Sequence, residues 1–316
     1  MRVPGGRRAR AAIGFAVGLV LLAAAVWVLA SNGVALQSAR DSARGASVWL
    51  LALLVVLPAV NAALVAWSFH VLMARFGRVP LSDMLALIGS AWLLNYLPMR
   101  PGLIGRLAYH KAVHKVGFRQ SVAVSVALAL MTGLAAAHLL GVWVAFRADV
   151  PVGITVSIAS VILVVLTANI AADRSPAGAV PRGALRVALV LRYADLAVWS
   201  LRLVVAFEVI GQPIPIMVGV LLASVIQLAY LFPLTGSGLG VSEWAVAVVA
   251  PLAIAIDPPA AIAASLLGRV GELIAAVPAG LIGSASIARR RRGSRSGHMP
   301  SPSTETSQHT GNDPNR

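Results

Sequence analysis

The chain has 316 residues, of which 59% are hydrophobic and only 12% charged, with a formal net charge of +15 and no cysteine. A soluble domain carries roughly 25% charge, so lipid is the expected solvent. Without cysteine there is no disulfide framework, thiolate metal site or cysteine nucleophile. The basic excess sits beside apolar segments with no nucleic-acid-binding motif, so no nucleic-acid partner is expected.

In chain order, Arg7, Arg8 and Arg10 precede an apolar span from Ala11 to Ser31. At about 20 residues it exceeds a signal-peptide core and reads as a retained helix. Further spans are expected at Ser47–Met73, Ser121–Phe146, Pro151–Ala172, Leu185–Ile210, Ile214–Phe232, Ser242–Ile256 and Pro259–Ile287. A shorter apolar stretch, Leu81–Leu97, runs into "NYLPMRPGLIG". The tail opens with "RRRRGSRSG" from Arg289, continues polar, and is expected to be disordered. The domains are thus a basic N-terminus (1–10), a membrane domain (11–287) and a basic, polar tail (288–316), both ends cytoplasmic.

Lys and Arg in the loops set the orientation. With residues 81–105 entering and leaving on the cytoplasmic side, Arg75, Arg78, Lys111, Lys115, Arg119, Arg174, Arg182 and the 289–295 cluster are cytoplasmic. Only Arg40, Arg44 and Arg147 then face outward. If 81–97 crossed fully, every later loop would invert and the arginine tail would be exported. The expected fold is all-α: a polytopic membrane helix bundle of about eight spans plus re-entrant or broken helices, in the cell (inner or plasma) membrane.

Two interrupted segments resemble each other. "NYLPMRPGLIGR" (95–106) and "YLFPLTGSGLGVSE" (230–243) share an aromatic, Leu and Pro, then glycines flanking Leu. Such interruptions in corresponding places of two halves suggest an inverted repeat with its site at the repeat interface; two unrelated helix kinks are the alternative. Broken backbone at membrane depth is tolerated only inside protein or beside a water-filled cavity. Gly236, Gly238 and Gly240 allow the required conformations and leave amides near a ligand. A helix opening near Val241 presents its positive end to an anion such as a lipid phosphate. Glu243 falls in that helix's first turn, where a carboxylate is itself favourable, so capping and ligand-site roles both stand.

Asn95-x-x-Pro98 with Gly102 and Arg106 resembles the first signature of the lysylphosphatidylglycerol synthase transmembrane region, or flippase-like domain, family. "GSGLGVSE" followed by "AAIAASLLGRVGE", with Arg269 inside the membrane, resembles its second. The resemblance covers most of residues 11–287. It implies an integral membrane protein that moves a modified phospholipid between leaflets, or serves polyprenyl-linked sugars and glycosyl transfer. It also implies a lipid-modifying or glycan enzyme as partner. Two departures bear on the first half: Leu103 stands where an acidic residue usually follows the glycine, and "LALMTG" replaces an expected Glu-Arg pair. No aminoacyltransferase domain is expected, so the chain is not itself an aminoacyl-lipid synthase.

Other signals are weaker. His110-Lys-Ala-Val-His114 has the spacing of a zinc pair but lacks the following Glu, and reads as an interfacial basic helix near anionic headgroups. No two of the seven Asp and four Glu lie within two positions, against a metal-bound nucleotide-sugar site. Gly236-x-Gly238-x-Gly240 lacks dinucleotide spacing, and no cofactor is expected. Charges inside apolar helices are costly and mark pathways. Arg192–Asp195 reads as a self-neutralising i,i+3 pair; Arg269, with Glu272 a turn on, reads as a bidentate phosphate ligand. The substrate-binding set is Asn95, Pro98, Arg100, Gly102, Arg106, Gly236, Gly238, Gly240, Glu243, Arg269 and Glu272. Its expected ligand is a membrane phospholipid or lipid-linked glycan, bound and translocated. The rivals are a polyprenyl-phosphate glycosyltransferase with Glu243 as base and a small-solute transporter.

Overall fold

The computed structural model describes residues 5–97, 101–173, 182–231 and 238–296, and contains eleven helices and no strand among them. The N-terminal apolar run forms α1 (Gly5–Ser31). It is followed by α2 (Gly33–Gly45), capped where Asn32 Oδ1 accepts from the Ala35 amide at 3.1 Å. Sequence periodicity at the scale of whole spans passes over α2, which is short and polar. Its Ala39 and Ala43 nonetheless pack against a buried cluster built from α3 (Val48–Met73), α8 (Arg182–Val209), α9 (Ile216–Leu231), α10 (Val241–Ala253) and α11 (Pro258–Ser296).

Between α3 and α8 lie α4 (Leu81–Leu94), α5 (Pro101–Ala112), α6 (Phe118–Ala148) and α7 (Val150–Asp173). Four stretches are long and apolar enough to cross a membrane: Ala12–Ser31, Val48–Met73, Phe118–Ala148 and Pro258–Arg290. Together with shorter apolar helices and exposed Val20, Trp27, Leu134, Ile158 and Leu252, they make this a multi-pass helical membrane protein. The expected span at Ser242–Ile256 is a helix of only 13 residues that stops at Ala253. Helix α11 continues through Ser296, so the first basic residues expected in a disordered tail are helical instead.

Both expected breaks occur between paired helices. Pro98 and Arg100, which follow α4 in the chain, and Gly236, which follows α9, lie outside the described residues. The contacts around the two breaks correspond. Helix α3 packs on α4 as α8 packs on α9; α4 meets α11 as α9 meets α6; α3 meets α11 as α8 meets α6. Helices α3 and α8 pack on each other at the centre.

Candidate functional site

The polar residues of these apolar helices gather where α3, α8, α10 and α11 meet the first break. At the start of α10, Gly238 and Gly240 have φ of +67° and +77°, conformations that side chains rarely adopt. A Cβ on Gly240 would lie 2.3 Å from Leu21 Cβ, so this glycine is needed for close packing on α1 rather than for an approach to a ligand. A Cβ on Gly238 would strike the Tyr230 ring at 2.0 Å. The turn delivers Ser242 and Glu243 to a buried position, Glu243 fully so.

Glu243 is held as an ion-pair partner. Arg269 Nε donates to its Oε1 at 3.0 Å, and Ser242 Oγ donates to its Oε2 at 2.9 Å. Arg269 also lies 3.7 Å from Glu272 Oε1, while Arg202 NH2 donates to Glu272 Oε2 at 2.7 Å. Tyr96 and Trp92 add hydrogen bonds to Glu272 Oε1 at 2.6 and 3.3 Å. Arg202 continues to Asn61 Oδ1 at 3.3 Å, and Asn61 Nδ2 donates to Asp195 Oδ1 at 2.7 Å. Asp195 pairs with Arg192 at 3.3 Å, whose NH2 reaches Ser68 Oγ at 2.7 Å on α3. The Arg192–Asp195 pair is therefore more than a self-neutralising turn of α8: it ties α8 to α3.

Arg106 is different. It is buried on α5, stacked 3.8 Å over the Phe69 ring, and donates to Ser125 Oγ at 3.0 Å. Among the described residues no carboxylate lies within salt-bridge distance of it. Three buried carboxylates (Asp195, Glu243, Glu272) thus face four buried guanidiniums (Arg106, Arg192, Arg202, Arg269) across this region. Arg106 lines a cavity of about 300 Å³ with Asn61, Trp92, Asn95, Leu103, Thr132, Trp199, Gln227 and the ionic groups of α8. Leu103 and Thr132 also stand on its wall, and its two acids, Asp195 and Glu272, are paired with Arg192 and Arg202.

The expected site residues therefore divide into groups. Glu243, Arg269 and Glu272 come together, around a second, much smaller pocket of about 30 Å³. Arg106 and Asn95 line the larger cavity, with Glu272, Arg202 and Trp199 on the wall common to both. Arg269 does not line the larger cavity with Arg106; its guanidinium is committed to Glu243, Glu272 and Ser242. Asn95 Oδ1 accepts the Leu103 amide at 3.2 Å, capping α5, and a Cβ on Gly102 would sit 2.3 Å from the Ala91 carbonyl, so both fix the α4–α5 turn. Asn61, Arg202, Ser242, Tyr96 and Trp199 were not in the expected set. The available signal was Asn61 in the apolar α3 and Arg202 among the charges of α8.

His110 is fully buried, while Lys111, Lys115 and Arg119 of the same basic stretch are exposed. Among the described residues no cluster of three or more His, Asp or Glu side chains is placed to hold a metal ion. Neither a scan of protein-family models nor a search of curated proteins returns a match to this chain.

Proposed function

We propose that the protein binds the anionic headgroup of a phospholipid or lipid-linked glycan in the Arg106 cavity and passes it between leaflets. The observation that carries this reading is the buried Arg106 with no carboxylate in reach among the described residues, beside a cavity of about 300 Å³. A guanidinium left uncompensated in a low-dielectric site favours an anion, and its fork matches phosphate. Trp92 and Trp199 also line this cavity and suit the apolar neighbourhood of such a headgroup. The resemblance to the flippase-like domain family is in keeping with this activity.

The correspondence between α3–α6 and α8–α11 supports an inverted repeat with the site between its halves. At 1.5 Å per residue, α4, α9 and α10 reach only about 20–24 Å, short of a hydrocarbon core of about 30 Å. This favours two re-entrant pairs, α4–α5 and α9–α10, with six crossings (α1, α3, α6, α7, α8, α11) in place of eight. Removing two crossings keeps both termini cytoplasmic, in keeping with the Lys and Arg distribution in a cell membrane. The glycosyltransferase alternative asks Glu243 to act as a base, yet both its oxygens accept hydrogen bonds and it is fully buried.

The test is reconstitution in liposomes with fluorescent phosphatidylglycerol or phosphatidylcholine, quenched from outside by dithionite. Faster loss of protected phosphatidylglycerol signal than in empty liposomes, reduced by Arg106→Gln, supports the reading. Rates equal to empty liposomes for both lipids exclude it.

A further inference from the structure

A second polar cluster lies one turn along α5 from Arg106. His114 Nε2 is 3.2 Å from Asp83 Oδ2, and His114 Nδ1 is 3.2 Å from His110 Nδ1. The two contacts fix the tautomers. A carboxylate only accepts, so His114 donates its Nε2–H to Asp83; its Nδ1 then carries a lone pair, and His110 donates Nδ1–H to it. His110 Nε2 is left as an unprotonated lone pair, fully buried and without a hydrogen-bond partner among the described residues. A buried bare nitrogen is costly unless it has a use.

The charged and titratable groups around His110 come from every neighbouring element. Arg106, Tyr109 and Lys111 share α5, His114 follows it, Asp83 opens α4, and Arg290 of α11 contacts Asp83. Helix α6 presents the hydroxyls of Ser121 and Ser125, while its Arg119 lines an outer groove with Phe118 and Leu130. His70 of α3 bonds the Val79 carbonyl. Burial, then His114 and Arg106, hold His110 down at about 4, so it is neutral when the cavity is empty.

Resting on the anion-site reading above, we infer that the protein takes up a proton on His110 Nε2 when a tetrahedral oxyanion binds at Arg106. The bond formed is N–H on Nε2; the proton comes from hydronium in bulk solvent, and no covalent bond to the anion changes. Arg106 and His110 are i,i+4 neighbours on one helix face. An anion on Arg106 cancels the positive field that opposes protonation of His110, and adds a negative one. An opposite charge at this range raises such a group by about 1–3 pH units. Linkage makes the effect reciprocal: acid tightens anion binding. Anion and proton then travel together, which gives the transporter its coupling ion.

Isothermal titration of the full chain in detergent, run in two buffers of different ionisation enthalpy, reads proton uptake directly. Sulfate and dihexanoyl-phosphatidylglycerol are the ligands, because neither changes charge between pH 5.5 and 8. The first probes a free oxyanion and the second a lipid headgroup. Whichever binds should take up about half a proton or more at pH 5.5 and close to none at pH 8, with affinity about fourfold higher in acid. His110→Asn should bind at pH 8 like the wild type and lose the uptake. Binding without uptake in the wild type overturns the inference and leaves the anion site standing, as does uptake unchanged in His110→Asn. Binding of neither ligand overturns both.

Discussion

Glu272 carries more of the site's architecture than any other side chain: Trp92, Tyr96, Arg202 and Arg269 all converge on it. Glu272→Gln leaves two buried guanidiniums sharing a neutral amide, and should destabilise the fold by about 3–5 kcal/mol, read as a lowered melting temperature in detergent. Arg269→Lys keeps the charge but loses the fork that reaches Glu243, Ser242 and Glu272 together, so it should lower the melting temperature as well as any lipid handling. Arg106→Gln breaks no ion pair among the described residues and should leave melting nearly unchanged. His110 adds a pH dependence of stability. Folded, it binds a proton only near pH 4; unfolded, near 6.5. Between those values the unfolded chain binds more protons, so the empty protein should lose stability as pH falls through that window, and His110→Asn should flatten the slope. The pairing of Arg269 with an acid was legible as an i,i+3 spacing on α11. Its stronger partner Glu243 lies 26 residues away, and the Arg202–Asn61 link spans 141, distances over which one sequence carries no pairing signal.

The helices explain which breaks are structural. Asn95 and Gly102 close the α4–α5 turn, and Gly240 lets α10 begin against α1. Gly240→Ala places a Cβ in a left-handed conformation and into Leu21, at a cost above about 1–2 kcal/mol from the conformation alone. It should reduce folded yield and melting temperature, whereas Gly105→Ala, with open space around the added Cβ, should change neither. The glycine-rich run was legible as interrupted helix because glycine and proline are local signals. Its neighbour α1, more than 200 residues earlier, was not, and so Gly240 was read as making room for a ligand rather than for a helix. Helix α2 escaped notice for a related reason: 13 residues with two arginines and an aspartate look like a loop unless their alanines are known to pack.

Across the whole molecule, the proposed repeat would set unlike chemistry in its two halves: α10 and α11 pair Glu243 with Arg269, while Arg106 on α5 has no carboxylate in reach among the described residues. That asymmetry gives the larger cavity its positive charge. The orientation proposed from loop charge is tested by single cysteines, for which the cysteine-free chain is a silent background. Cysteine at Arg75 or Ser296 should react only with reagent on the cytoplasmic side, and at Ser42 only outside; external labelling at Ser296 contradicts the orientation. The membrane class and both breaks were open to reading from composition and from Gly and Pro. The cavity was not, because its wall is assembled from α3, α4, α5, α6, α8, α9 and α11, each contributing between one and four residues. Its occupant is the central claim, and native mass spectrometry of purified protein exchanged into mixed phosphatidylglycerol and phosphatidylcholine tests it most directly. The wild type should retain phosphatidylglycerol in preference to phosphatidylcholine, and Arg106→Gln, equally folded, should lose that preference. Equal retention of the two lipids by the wild type, or an unchanged preference in Arg106→Gln, would contradict an anion site at Arg106.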